Sequence, residues 1–328
     1  MATTRGRSFL VALFLASFAG VAFAKDDLAS LRAQFALPES RIDYADAKLT
    51  VDRLIDPTTN EAEVRRQLAH WERAVRDNIP AGATPRQTFD ALIKTLYQPG
   101  PWNEGKTFTY DLDDPLGKIP RNKHLATYLA TREGNCVSMP MLVVILGQRL
   151  GLPVALAIAP RHVLVKFADD EQQAWINFEA TAGGFKYDSS YERETGISPL
   201  AIDNEIYLRP LSPREGLGVI ASALMEHHGA REDGDALMEV ADLALAANPK
   251  DPIAMIWKAN AYYLQLQARY VRKYPDANDI PRALHDDFRH LSRENLAWFD
   301  KAERLGWTQP TPQQEAAYLQ AIEREKRR

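Results

Sequence analysis

Cys136, His162 and Glu179 are the residues of this chain whose chemistry is most readily stated. A cysteine nucleophile needs its thiolate, a general base within hydrogen-bond reach and a group that orients the base. Cys136 follows Gly134-Asn135 where an apolar helical stretch begins, so exposed N–H groups and the helix dipole favour the thiolate. It is the chain's single cysteine and cannot form an internal disulfide; the plainer alternative is a small buried apolar filler. Among seven histidines, His70, His227, His228, His285 and His290 fall in helical stretches, whereas His162 opens a strand soon after the Cys136 helix.

Three runs with strand character follow that helix: 154–158, 162–167 and 174–179, the last two joined by the polar turn 168–173. If Phe167 lies opposite Ala174, paired residue numbers sum to 341 and His162 faces Glu179 across the hairpin. A shift of two sets Asn177 opposite instead, and an amide can also orient an imidazole. Other catalytic patterns are missing: there is no phosphate loop, no H-E-x-x-H pair and no G-x-S-x-G elbow. Asp111, Asp113 and Asp114 lack the spacing and turn glycine of a calcium loop, so no metal and no cofactor is expected.

These residues need elements to hold them. Asn60 is placed to cap a helix bearing Val64, Leu68, Trp71 and Val75 on one face. Thr84, Pro85 and Gln87 form a capping box before Phe89, Leu92, Ile93 and Leu96. A Gly-, Pro- and Asp-rich loop over 98–122 precedes a helix over 123–131, and Asn135 can cap the next one, with Met139, Leu142, Val143, Leu146 and Leu150 as its stripe. Pro140 lacks an N–H and leaves the Cys136 carbonyl without a helical partner. A loop is expected over 182–199, and helices from about 214 to the end. There Leu237, Ala241, Ala244, Leu245, Pro249, Ala259 and Tyr262 match positions of a tetratricopeptide repeat, with ordinary packed helices as the alternative. A helix followed by antiparallel strands makes the fold class α+β.

The chain has 328 residues, 45% hydrophobic and 26% charged, enough for about two domains with a large core. Arg5 and Arg7, the apolar run 9–24 and the ending Ala22-Phe23-Ala24 make residues 1–24 a secretory signal peptide. That run is interrupted by Ser17 and Gly20 and falls short of the ~20 apolar residues of a membrane span, so none is expected after cleavage. The remaining chain carries 38 basic and 44 acidic residues, a net charge of −6, which argues against nucleic acid as a partner.

The strings REGNCVSMPML, RLGLPV, RHVLVKF and WINFEATAGG occur in an order that resembles the transglutaminase-like superfamily, whose core is similar to that of papain. TYDLDDPLGKIPRNKHLATYLATREGNC and IYLRPLSPREGLG further resemble its bacterial SirB-type branch, which joins such a core to tetratricopeptide-like helices. The resemblance implies Cys136 as nucleophile, His162 as base and Glu179 as the strand acid, in a position where the family usually has Asp before Pro-Thr. It implies a helix bearing the cysteine packed on an antiparallel sheet bearing the histidine and acid, followed by an all-α region. The expected divisions are a signal peptide at 1–24, a helical segment at 25–83, a transglutaminase-like domain at 84–213 and a tetratricopeptide-like domain at 214–328. The implied activity is that of a periplasmic or secreted cysteine hydrolase or transamidase cutting or exchanging an amide of a protein or peptide. The rival expectation is an inert scaffold of the same fold that binds a protein partner.

Overall fold

The computed structural model describes residues 20–309, 311–313, 316, 319 and 320. Positions 1–19 of the expected signal peptide lie outside the described residues.

Four helices open the chain: α1 (Gly20–Ala36), α2 (Tyr44–Ile55), α3 (Glu61–Asn78) and α4 (Pro85–Tyr97). Their starts are set by side chains that satisfy orphan N–H groups, each cap worth about 1 kcal/mol. Asp43 accepts from Ala45 and Asp46, and Asn60 accepts from Glu63 at 3.1 Å. At α4 both bonds of the Thr84–Gln87 capping box form. Val64, Leu68, Trp71 and Val75 are all buried, as their spacing predicts.

The long loop then pairs β1 (Thr109–Tyr110) in parallel with β2 (Glu133–Gly134), which brackets α5 (Leu125–Thr131) and leads into α6 (Ser138–Arg149). The expected one-sided stripe on α6 is a correction to make: every residue from Ser138 to Gly147 is buried. Helices α2, α3, α4 and α5 pack around it, and the sheet closes the remaining side. A helix apolar all round is a central helix, and this one carries Cys136 at its approach.

The sheet consists of β3 (Val154–Ala159), β4 (His162–Asp169), β5 (Ala174–Glu179) and β6 (Gly184–Lys186), antiparallel and in sequence order. Ala159 pairs with His162, so β3 and β4 join through Pro160-Arg161 alone, with Arg161 in the left-handed region at φ 57°. Between β4 and β5 the register differs from the expected one by two residues: Asp169 pairs with Ala174 and Val165 with Phe178, a sum of 343. The cause is Asp169, which is the strand's last residue and not part of the turn. One of its carboxylate oxygens accepts from the N–H groups of Glu171 (2.8 Å) and Gln172 (3.3 Å), and the other binds Arg86 Nη1 at 2.6 Å. The turn therefore shrinks to 170–173 and ends at left-handed Gln173.

The stretch 182–199, expected as loop, holds β6 and a short helix, α7 (Asp188–Thr195), before α8 (Pro199–Asp203) begins. The chain then runs along β3, where Leu208 and Leu211 each donate a backbone N–H at 2.9 Å, to Ile158 and Leu156. That covers a sheet edge that would otherwise be open. Helices α9 (Pro213–Ala230), α10 (Gly234–Ala247), α11 (Pro252–Leu266) and α12 (His285–Arg304) follow, each packed on the next. Leu237, Ala241, Ala244, Leu245 and Ala259 are buried among them. The close approach of α10 and α11 requires Gly234, where a Cβ would stand 3.0 Å from the Ala261 carbonyl oxygen. Helix α9 also packs on α2 and β3, so one contiguous core extends from Leu28 to Ala302. No helix among the described residues is long and apolar enough to cross a membrane.

Candidate active site

Cys136 lies in a turn assembled by its neighbours. The Asn135 carboxamide oxygen accepts from the N–H groups of Val137 (3.0 Å) and Ser138 (3.1 Å), while Ser138 Oγ accepts from the Asn135 N–H at 3.0 Å. Asn135 stands two residues before Val137, the N-cap of α6, and closes the turn that leads into the helix; its carbonyl accepts from the Met139 N–H at 3.0 Å. Its amide nitrogen donates to the Asn122 carbonyl at 3.3 Å, which ties the turn to the long loop. Gly134 has no room for a side chain: a Cβ would lie 2.5 Å from the Tyr128 ring and 2.8 Å from Ser138 Oγ. Pro140 stands within the first turn of α6, so the Cys136 carbonyl has no N–H four residues on. The thiol itself is half-buried, with Sγ 3.9 Å from the Arg161 carbonyl oxygen.

The acidic loop that precedes this turn is built from its own carboxylates. Asp114 accepts from the N–H groups of Lys118 (2.7 Å) and Ile119 (3.1 Å), and Asn122 donates to both Asp111 and Asp114 at 3.0 Å. These bonds orient Asn122, whose carbonyl then holds Asn135 beside the thiol. Among the described residues no group of three or more His, Cys, Asp or Glu side chains is arranged to hold a metal ion.

His162 Nε2 lies 2.7 Å from Glu179 Oε2. Extending the register one step beyond the Val165–Phe178 pair sets Glu179 level with Leu164, two residues from His162 on the same face. The contact is therefore diagonal, across ~7–8 Å between backbones, and the long Glu side chain spans it. The Cys136 side chain acts on the His162 ring and raises its basicity, which sets the two side chains near one another. With Nε2 held by Glu179, Nδ1 is the nitrogen available to the sulfur. Cys136, His162 and Glu179 are thereby brought together.

Asn177, the alternative partner of the ring, points elsewhere. Its amide nitrogen donates to the Lys186 carbonyl (3.0 Å) and to Asp188 Oδ1 (2.6 Å), the latter also bound by Lys166 Nζ at 3.1 Å. Two residues absent from the sequence expectation stand at the carboxylate instead. Tyr191 OH donates to Glu179 Oε2 at 2.8 Å, and Thr181 donates its N–H (3.1 Å) and hydroxyl (2.6 Å) to Oε1. A sequence signal existed for Thr181, which follows the acid by two residues; none existed for Tyr191.

Burial alone would lower the basicity of His162, but the hydrogen bonds to Cys136 and Glu179 and the Glu179 charge outweigh it and push the imidazole up to about 10. Burial alone would raise Glu179; its bonds to His162, Thr181 and Tyr191 overcome this and hold the carboxyl down to about 2. At neutral pH the pair is thus imidazolium and carboxylate, and the sulfur faces a cation. Burial, then the Glu179 charge, push Tyr191 well up, which keeps its hydroxyl a donor. The His162 side chain keeps 19% exposure, whereas the Glu179 carboxylate side chain keeps 7%.

Residues 62–218 match the transglutaminase-like superfamily, a span that contains α6, the whole sheet and all three of these residues. Among solved structures, similarity is found to one described as "Crystal structure of menin reveals the binding site for Mixed Lineage Leukemia (MLL) protein". That similarity has 14% identity, covers 91% of this chain and 88% of the other, and has a TM-score of 0.40. No curated protein matches the chain.

Proposed function

We propose that the chain is an exported cysteine hydrolase or transamidase that acts on an amide bond of a protein or peptide through Cys136, His162 and Glu179. The observation that supports it most is the His162 ring, held by Glu179 on Nε2 at 2.7 Å with the only thiol of the chain near enough to raise its basicity. In this reading Cys136 Sγ attacks the amide carbonyl, and the imidazolium gives its proton to the departing amine. A thioester remains. Water or an amine then attacks it, His162 Nδ1 takes the incoming proton, and the thiolate leaves. Glu179 keeps the ring in one orientation throughout, and the Cys136 backbone N–H at the helix approach is the proposed oxyanion donor.

The match over 62–218 supports a papain-like arrangement of cysteine helix and histidine strand. Within this reading 84–213 is the catalytic domain, 25–83 a helical segment set against it, and 214–328 a tetratricopeptide-like region of the SirB-type branch that engages the protein substrate. Comparing the proteomes of cells that express the active chain or its Cys136→Ala variant tests the function. New termini or new amide cross-links should appear with the active chain alone; identical proteomes would favour the inert scaffold. Export is tested by mass spectrometry of the periplasmic fraction, where the chain should begin at Lys25. A cytosolic chain retaining Met1 would contradict it.

A further inference from the structure

We propose that Tyr191, acting with Thr181, is a positioning residue that holds the Glu179 carboxylate in the plane from which it orients His162. The proposal rests on Cys136, His162 and Glu179 being the reacting set. A glutamate has one more rotatable bond than the aspartate usual at such a position, so its carboxylate needs external fixing to present a constant oxygen to the ring. Both oxygens are fixed here. Oε1 receives two donors from Thr181 and Oε2 receives Tyr191 as well as His162 Nε2, four contacts between 2.6 and 3.1 Å.

Tyr191 itself is rigidly set. It is 1% exposed, the single buried residue of α7, with Lys186 Nζ 4.6 Å from its ring centroid and the His162 ring 5.9 Å away. Helix α7 thus turns one buried phenol towards the carboxylate, while its Asp188 is bound by Asn177 and Lys166 and its Glu194 by Lys186. The Tyr191 hydroxyl bonds the Glu179 carboxylate, so its effect on chemistry passes through Glu179.

The experiment is a double-substitution cycle read by iodoacetamide alkylation of Cys136, the only thiol, at pH 7. Tyr191→Phe keeps the ring and should slow alkylation about five- to tenfold, the size of one ordinary net hydrogen bond, because the carboxylate keeps its other donors. In a Glu179→Ala background no carboxylate remains to be positioned, and the same substitution should change the rate less than twofold; Glu179→Gln replaces that background if Glu179→Ala does not fold. Tyr187→Phe, on a residue 83% exposed just before α7, should leave the rate unchanged. The Nε2 proton resonance of His162 should exchange faster with water in Tyr191→Phe, a change that a purely structural tyrosine would not produce. A wild-type rate in Tyr191→Phe, or an equal loss in both backgrounds, overturns the proposal while leaving the reacting set intact. If instead His162→Ala alkylates as fast as wild type, the reacting set falls and the proposal with it.

Discussion

The buried ion pairs Lys48–Asp52 and His162–Glu179 do different work. Lys48 and Asp52, on successive turns of α2, are 1% and 0% exposed, and the second Asp52 oxygen accepts the Leu125 N–H at 2.9 Å. That carboxylate serves the backbone start of α5 and has no route to solvent. His162 and Glu179 are 19% and 7% exposed, and the ring binds the carboxylate through Nε2, which leaves Nδ1 unbound by that partner. Charge in the interior is costly in both places, so burial and pairing alone do not mark a reactive site. What separates the two is that the lysine is fully enclosed with its carboxylate, whereas the imidazole keeps part of its surface exposed and a second nitrogen that the carboxylate does not bind.

The comparison breaks first at the structural pair. Lys48→Met leaves Asp52 charged and unpaired in the core, which should cost about 3–5 kcal/mol of stability by urea unfolding. Alkylation of Cys136 in the protein that remains folded should be unchanged. A large drop in alkylation would mean that the α2 pair supports the thiol after all.

Glu179→Gln should act on both, slowing alkylation at pH 7 by about tenfold and removing the pH dependence of stability that this pair supplies. His162 rises from its ordinary 6.5 to about 10, so its stabilising contribution is full below 6.5 and is lost as pH rises through 10. Glu179 falls from its ordinary 4.5 to about 2, so its contribution is full above 4.5 and is lost as pH falls through 2. Wild-type urea midpoints should therefore form a plateau between about 4.5 and 6.5 from this pair, and Glu179→Gln should flatten both limbs. Unchanged limbs would show that the pair does not exist in solution.

Asn177→Ala should have the smallest effect, below twofold on alkylation, with about 1 kcal/mol of stability lost because its amide serves Lys186 and Asp188. If Asn177→Ala slows alkylation more than Glu179→Gln, the orienting role belongs to the amide.

Much of the frame was legible because local signals and tertiary structure agree in it. Asn60 and the Thr84–Gln87 box cap as their residue types predict, Asn135 closes the turn before α6, and the strands begin at His162 and Ala174 as expected. The hairpin register was not legible, because Asp169 has the composition of a turn residue yet sits in the strand, its carboxylate held by Arg86 from a helix distant in sequence. The diagonal reach of Glu179 nevertheless restores the contact with His162. Helix α7 escaped for a different reason. The segment Asp188–Thr195 has no apolar stripe, and its one buried residue, Tyr191, is fixed by a carboxylate rather than by periodic packing. Polar interactions of this kind carry no period in sequence.

The most direct test of the thiol–imidazole pair is the rate of Cys136 alkylation by iodoacetamide from pH 5 to pH 9, in the wild type and in His162→Ala. With the imidazolium next to the sulfur, the wild-type rate should vary little between pH 6 and pH 8, and His162→Ala should react about a hundredfold more slowly at pH 6. Two coincident profiles, each rising tenfold per pH unit through neutrality as for an isolated thiol, would contradict the account.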